Sequence, residues 1–137
     1  MNILKLEPNG FSLDAQKILK KIGKVIDFNG PDKLLDQILP EIDILIIRLY
    51  YQVDKKFINK AKKLKFIVSP TTGLDHIDIN HAKEKNIEIV SLKNKKKFLK
   101  NIHATPEHSW ALLLSLVRKI YPAINSVKFG LWDRDKF

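Results

Sequence analysis

Arg48 is the only arginine before Arg118 in a chain that otherwise draws its positive charge from lysine. A guanidinium grips a carboxylate through two parallel N–H donors, which an ammonium cannot do. A second group of residues lies in SPTTGLDHID, residues 69 to 78, directly after the apolar run FIV. Here Thr71 and Thr72 offer hydroxyls, and Gly73 can take a positive φ and present its backbone N–H without side-chain obstruction. Together these groups have the chemistry of a carboxylate or phosphate grip, with nothing that breaks bonds. A plainer reading stands beside this one: Arg48 as a strand-end surface charge, Gly73 as a turn residue, and Asp75 or Asp78 as the cap of the next helix.

Other chemistries find no support in the residue pattern. His76, His81, His103 and His108 share no metal-ligand spacing with a carboxylate cluster, and the chain has no cysteine, so no metal site is expected. There is no Gly-x-Ser-x-Gly elbow, no phosphate-binding Gly-x-x-x-x-Gly-Lys loop and no Gly-x-Gly-x-x-Gly. KNKKKFLKN, residues 93 to 101, is a basic connector whose lysine run at 93 to 97 reads as a solvated loop, with an anion or nucleic-acid patch as its alternative.

The elements that position these groups alternate regularly. Met1 to Leu6 is a strand, and Glu7-Pro8-Asn9-Gly10 a turn. Ser12 caps a helix that Gly23 ends. KVIDF is the second strand, a helix runs from Pro31 to Ile38, and IDILIIRL is the third strand, apolar enough for burial on both faces. Asp54 to Leu64 is a helix, KFIVS a strand, Ile79 to Lys85 a helix and IEIVSL the fifth strand. This predicts a doubly wound, flavodoxin-like α/β domain with a five-stranded parallel sheet. In such a sheet ligands bind at the carboxyl ends of the strands. Glu7 to Gly10, Arg48 and SPTTGLDHID all fall there. The rhythm then changes to one long helix over 105–121, started by Thr105 as N-cap, Pro106 and Glu107. Trp110, Leu112, Leu113, Leu114, Leu116, Val117 and Ile120 make it apolar nearly all round, so a second surface should cover it. The expected division is 1–101 for the α/β domain and 102–137 for the long helix and the residues beyond it.

With 137 residues the chain has room for one domain with a core. No apolar run reaches the length of about 20 residues that a membrane helix needs, and the start does not read as a signal peptide. A cytoplasmic location is the expectation. The net charge of +10 raises nucleic-acid binding as an alternative, but scattered lysines supply only its sequence-independent part. A freestanding flavodoxin-like binding or regulatory module is the other alternative.

Three strings, in this order, carry a resemblance. SPTTGLDHIDI resembles a loop of the form Gly-Thr-Gly-x-(Asn/Asp)-x-(Ile/Val)-Asp. FLKNIHATPEHSWALLLSLVRKI is similar to an inter-domain helix introduced by a small residue and Ala-Glu-His. GLWDRDKF looks like a Gly-x-Trp-x-Arg lead into a nucleotide-binding domain. The chain thus resembles the substrate-side domain of the D-isomer-specific 2-hydroxyacid dehydrogenases, the group that includes phosphoglycerate, formate and glycerate dehydrogenases. The resemblance implies hydride transfer between NAD(H) and a small 2-hydroxy or 2-oxo acid. It implies substrate contacts at Arg48, Thr72 and Gly73, with Thr72 also near the cofactor, and a homodimer through the 105–121 helix. It further implies that the Gly-x-Gly-x-x-Gly fingerprint and the catalytic Arg, Glu and His lie in a domain beginning just after Phe137. On that reading the 137 residues are a truncated enzyme, contain no catalytic residue, bind no NAD alone and are inactive. Leu49 and Tyr50 depart from the small polar residues usual after the arginine, and Pro106 from the usual Ala.

Overall fold

A computed structural model describes residues 1–137 and divides them into two compact units, Met1–Asn94 and Lys95–Phe137. The first is built on a five-stranded sheet of β1 (Asn2–Lys5), β2 (Lys24–Asp27), β3 (Ile44–Ile46), β4 (Phe66–Ser69) and β5 (Glu88–Ser91). All four pairings are parallel and the order is β2-β1-β3-β4-β5. This is the flavodoxin-like arrangement that the alternation predicts, with its reversal of direction between β1 and β3.

The central strands are apolar because both faces are covered: Ile3, Leu4, Leu45 and Ile67 are fully buried. The assigned β3 is shorter than the apolar run around it. Its ladder nevertheless extends one residue either way, through Asp43 N–H to Asn2 O (2.9 Å) and Ile47 N–H to Val68 O (3.0 Å). Leu35, Leu39, Ile58, Ala61, Leu64, Ala82 and Ile87, from the segments between the strands, complete the core.

The connecting helices α1 (Leu13–Ile22), α2 (Asp32–Ile38), α3 (Lys55–Lys60) and α4 (Ile79–Glu84) form the rest of this unit, and three of them begin at a side-chain cap. Ser12 Oγ accepts from Ala15 N–H (3.1 Å), Asp54 from Phe57 N–H (2.8 Å) and Asp78 from His81 N–H (2.9 Å). Each satisfies one of the amide donors that a helix start leaves unpaired.

The second unit contains α5 (Lys96–Leu99), α6 (Ala104–Val117), α7 (Ile120–Lys128) and a 3-10 turn at Arg134–Lys136. Here the single long helix expected over 105–121 is corrected to two. Lys119 sits in the left-handed region at φ 49°, and Pro122 is the third residue of α7. A proline at that place in one continuous helix would lack the N–H owed to the Arg118 carbonyl and would clash with it. At the start of a new helix it has no such partner to lose. The cap is also displaced: α6 begins at Ala104, after His103, whose side chain makes no capping bond, so Thr105 lies inside the first turn. Part of the basic connector is itself a short helix, α5. No helix of the chain is long and apolar enough to cross a membrane.

Candidate functional site

The carboxyl edge of the sheet gathers three loops, leaving β1, β3 and β4. β1 pairs with β3 at Lys5 and Ile46, and β3 with β4 at Ile46 and Val68. Arg48 and Pro70 therefore leave neighbouring strands at the same level.

Arg48 is exposed, and its guanidinium has no carboxylate partner within the protein. It is held by its surroundings instead. Its backbone N–H donates to Glu7 Oε1 (2.8 Å), and Tyr50 N–H donates to the same oxygen (3.3 Å). Glu7 thus spends its carboxylate on the backbone of the arginine's loop and leaves the guanidinium unpaired. The guanidinium carbon lies 5.7 Å from the centre of the Phe11 ring, within cation–π range.

Beneath it, Gly10 turns at φ 80°, and a Cβ there would come within 3.0 Å of Arg48 Nη2. A side chain there would be strained by the turn and would crowd the guanidinium, which glycine avoids. On the same ring Lys5 Nζ lies 4.7 Å from the centroid, and it pairs with Asp27 Oδ1 at 2.7 Å. Lys5 is 1% exposed, so its charge is balanced by Asp27 and the ring. An open cleft of about 440 Å³ borders this group, lined among others by Glu7, Asn9, Asn29, Arg48 and Tyr51. Burial, and secondarily the nearby Asp32 charge, push the Tyr51 hydroxyl above its ordinary value of 10.0.

Lys5 and Phe11 were not singled out by spacing or type, and Gly10 entered only as the end of the Glu7–Gly10 turn. The available signal was Lys5 itself, a charge inside the apolar strand NILKL, which is almost never buried without a partner.

In the β4–α4 loop, Thr72 and Gly73 are exposed, as a binding role requires. Gly73 does not use the positive φ open to it: the left-handed glycines are Gly10 and Gly130. A Cβ on Gly73 would meet only Asp75 Oδ2, at 3.6 Å. The turn is shaped instead by Thr71, whose hydroxyl donates to the Gly73 carbonyl (2.7 Å). Asp78 is a cap, and His76 is 5% exposed, so both serve the loop from within. No group of three His, Asp or Glu side chains is placed to hold a metal ion. The structure therefore brings Arg48 to the β1/β3 edge and places Thr72 and Gly73 on the neighbouring β4 loop.

The class that the fold defines is a flavodoxin-like α/β domain, here with an unpaired arginine at its carboxyl edge. Comparison narrows the class. Residues 6–97 match the family model "D-isomer specific 2-hydroxyacid dehydrogenase, catalytic domain", a span that contains Arg48, Thr72 and Gly73, and the chain belongs to that family.

A D-3-phosphoglycerate dehydrogenase of Archaeoglobus fulgidus is 34% identical over 140 residues, covering 100% of this chain and 25% of the relative. A hydroxypyruvate reductase of Thermotoga maritima is 33% identical over 103 residues, 75% of this chain and 32% of the relative. Among solved structures, the NAD-dependent formate dehydrogenase of Staphylococcus aureus in complex with NAD superposes with a TM-score of 0.75 at 25% identity, covering 99% of this chain and 44% of that one. An acyclic imino acid reductase in complex with NADPH and D-Arg gives 0.77 at 26% identity, with 97% and 42% covered. The chain spans about a quarter to a third of the length of these curated relatives.

Proposed function

We propose that this chain supplies the substrate side of an NAD-dependent D-2-hydroxyacid dehydrogenase, with Arg48, Thr72 and Gly73 facing the carboxylate of a small 2-hydroxy or 2-oxo acid. The observation that carries the reading is the unpaired, exposed guanidinium of Arg48, held at the β1/β3 edge by Glu7, Gly10 and Phe11. A carboxylate docked there gains a bidentate charge-assisted contact. The buried Lys5, neutralised by Asp27, packs on the same Phe11 ring and helps to fix the platform on which the guanidinium rests. Thr72 and Gly73, one strand over, offer a hydroxyl and an unobstructed backbone to the same anion.

The residues present do not fit a whole dinucleotide. No strand-to-helix loop carries Gly-x-Gly-x-x-Gly, and the chain has five glycines in all, so no cradle for a pyrophosphate exists among them. The cofactor is proposed to be held by a nucleotide-binding domain, with Thr72 as the contact from these residues. Residues 1–101 form the substrate-side domain in this reading, and 102–137 the inter-domain segment. The apolar, exposed face of α6, with Leu113 and Leu116 at 48% and 79% exposure, is proposed as the homodimer contact. A cytoplasmic location suits such an enzyme.

The test joins residues 1–137 to the nucleotide-binding domain of the Archaeoglobus fulgidus relative and follows NADH oxidation with a panel of 2-oxo acids. The 137 residues alone are expected to give no turnover above a protein-free control. The chimera is expected to turn over, and Arg48→Ala to raise its KM by about tenfold or more, as loss of a charge-assisted pair does. A folded chimera whose KM ignores Arg48→Ala overturns the reading.

A further inference from the structure

The β4–α4 loop is held from beneath by a line of three side chains. Ser69 is fully buried and His76 nearly so. Ser69 Oγ lies 2.8 Å from Thr71 Oγ1 and 3.2 Å from His76 Nε2, and Thr71 Oγ1 donates to the Gly73 carbonyl at 2.7 Å. One arrangement of protons serves all three contacts. A carbonyl cannot donate, so the single hydroxyl proton of Thr71 is committed to Gly73. Thr71 Oγ1 then accepts from Ser69, which commits that proton too. Ser69 is left to accept, and His76 must carry a proton on Nε2.

Backbone bonds clamp both ends of the line. Val53 N–H donates to His76 O (2.8 Å) and Asp78 N–H to Val53 O (3.0 Å), while Leu92 N–H donates to Thr71 O (3.1 Å). The imidazole is thereby tied to a fixed strap, and the far end of the line is the peptide of an exposed glycine.

We propose that His76 and Ser69 are positioning residues, a proton-ordered relay that sets the orientation of the Gly73 peptide and so the face that Thr72 and Gly73 turn towards a substrate carboxylate. The proposal takes the role of that segment from the reading above. A side chain that merely fills the turn would need volume at these positions. The relay needs a donor at His76 and a hydroxyl at Ser69, able to accept from one side and donate to the other. That difference separates the two roles experimentally.

The test is NMR on the 137-residue chain with labelled histidine. His76, when neutral, is expected as the Nε2–H tautomer. His76→Gln keeps a donor near the place of Nε2 and is expected to leave Leu92 amide exchange within about twofold of the parent. His76→Leu and Ser69→Ala are expected to speed it by roughly tenfold, the loss of one buried hydrogen bond, and to shift the Gly73 carbonyl resonance. Neutral His76 protonated on Nδ1, or Ser69→Ala with the Gly73 carbonyl unmoved, overturns the relay. Titration with pyruvate separates the two proposals: shifts at Thr72 and Gly73 that weaken severalfold in Ser69→Ala support positioning, and equal affinity in both proteins overturns it. If neither protein responds to pyruvate, the substrate-site reading falls and the positioning role with it, while the tautomer still decides the proton order.

Discussion

Gly10 and Gly73 each lie in a loop after a strand and each border the proposed site, yet they carry different burdens. Gly10 has a left-handed backbone and the Arg48 guanidinium 3.0 Å from where a Cβ would stand. Gly10→Ala is therefore expected to cost about 1–2 kcal/mol, from backbone strain and the displaced side chain. Gly73 has neither constraint, so Gly73→Ala is expected to change stability by less than about 1 kcal/mol. Urea denaturation of the two variants checks both. The sequence placed both glycines at the ligand-binding edge but argued a positive φ only for Gly73, because residue type does not reveal φ. What selects Gly10 is the arginine arriving from the end of β3, a contact that exists only once β1 and β3 are paired. Arg48 itself was legible, as a lone guanidinium at the end of an apolar strand, but the hold of Glu7 on its backbone and its seat on Phe11 were not.

At the scale of elements, short helices depend on their ends. α3 and α4 have six residues each, too few to be stable by propensity, so their caps matter in proportion. Asp54→Ala and Asp78→Ala are each expected to lower stability by about 1 kcal/mol, measured by chemical denaturation, with Asp78 also loosening the end of the proposed binding loop.

The strands have a corresponding staple in Asp43. Its Oδ2 accepts from Asn2 N–H at 2.8 Å and its Oδ1 from Lys65 Nζ at 3.1 Å, while its carbonyl accepts from Lys65 N–H and Phe66 N–H. The Asn2 amide first, then Lys65, hold this carboxyl below its ordinary value of 3.8. A depressed folded value means that the stabilisation is complete above the unfolded pKa and is lost as pH falls through the folded one. Asp43→Asn is expected to be less stable at neutral pH and to lose stability less steeply as pH falls below the ordinary carboxyl value of 3.8; thermal melts through that acid range check the slope. The helix caps at Ser12 and Asp78 were legible because a cap acts within four residues, whereas the Asp43 staple spans 41 residues to Asn2 and was not. The break at Lys119 was not, because Pro122 fits either a helix interior disturbed by it or a new helix opened by it, and the sequence alone does not choose.

For the whole molecule, the apolar surface of the second unit carries the proposed dimer contact. Trp110, Leu112, Leu114 and Val117 on α6 are each more than half exposed. Paired across a two-fold axis, this face would bury a contiguous apolar patch of the kind that monomers rarely leave to water. Sedimentation equilibrium is expected to show a dimer, and Leu113→Lys with Leu116→Lys a monomer with an unchanged fold by circular dichroism. A monomeric parent chain at micromolar concentration would remove the proposal.

The family, the α/β class and the flavodoxin-like sheet were all readable from one dimension. Alternation of apolar runs with capped segments leaves a parallel sheet few topologies, and three local strings in sequence narrow the family. The site was readable only as a set of candidates. That the Arg48 guanidinium stays unpaired, which glycine is conformationally required and which hydroxyl shapes the β4–α4 loop were decided by tertiary structure. The first two depend on side chains far apart in sequence meeting at one edge of the sheet, and the third on a buried line of Ser69, Thr71 and His76 that closes only when the loop is folded. Spacing along the chain carries no record of such meetings.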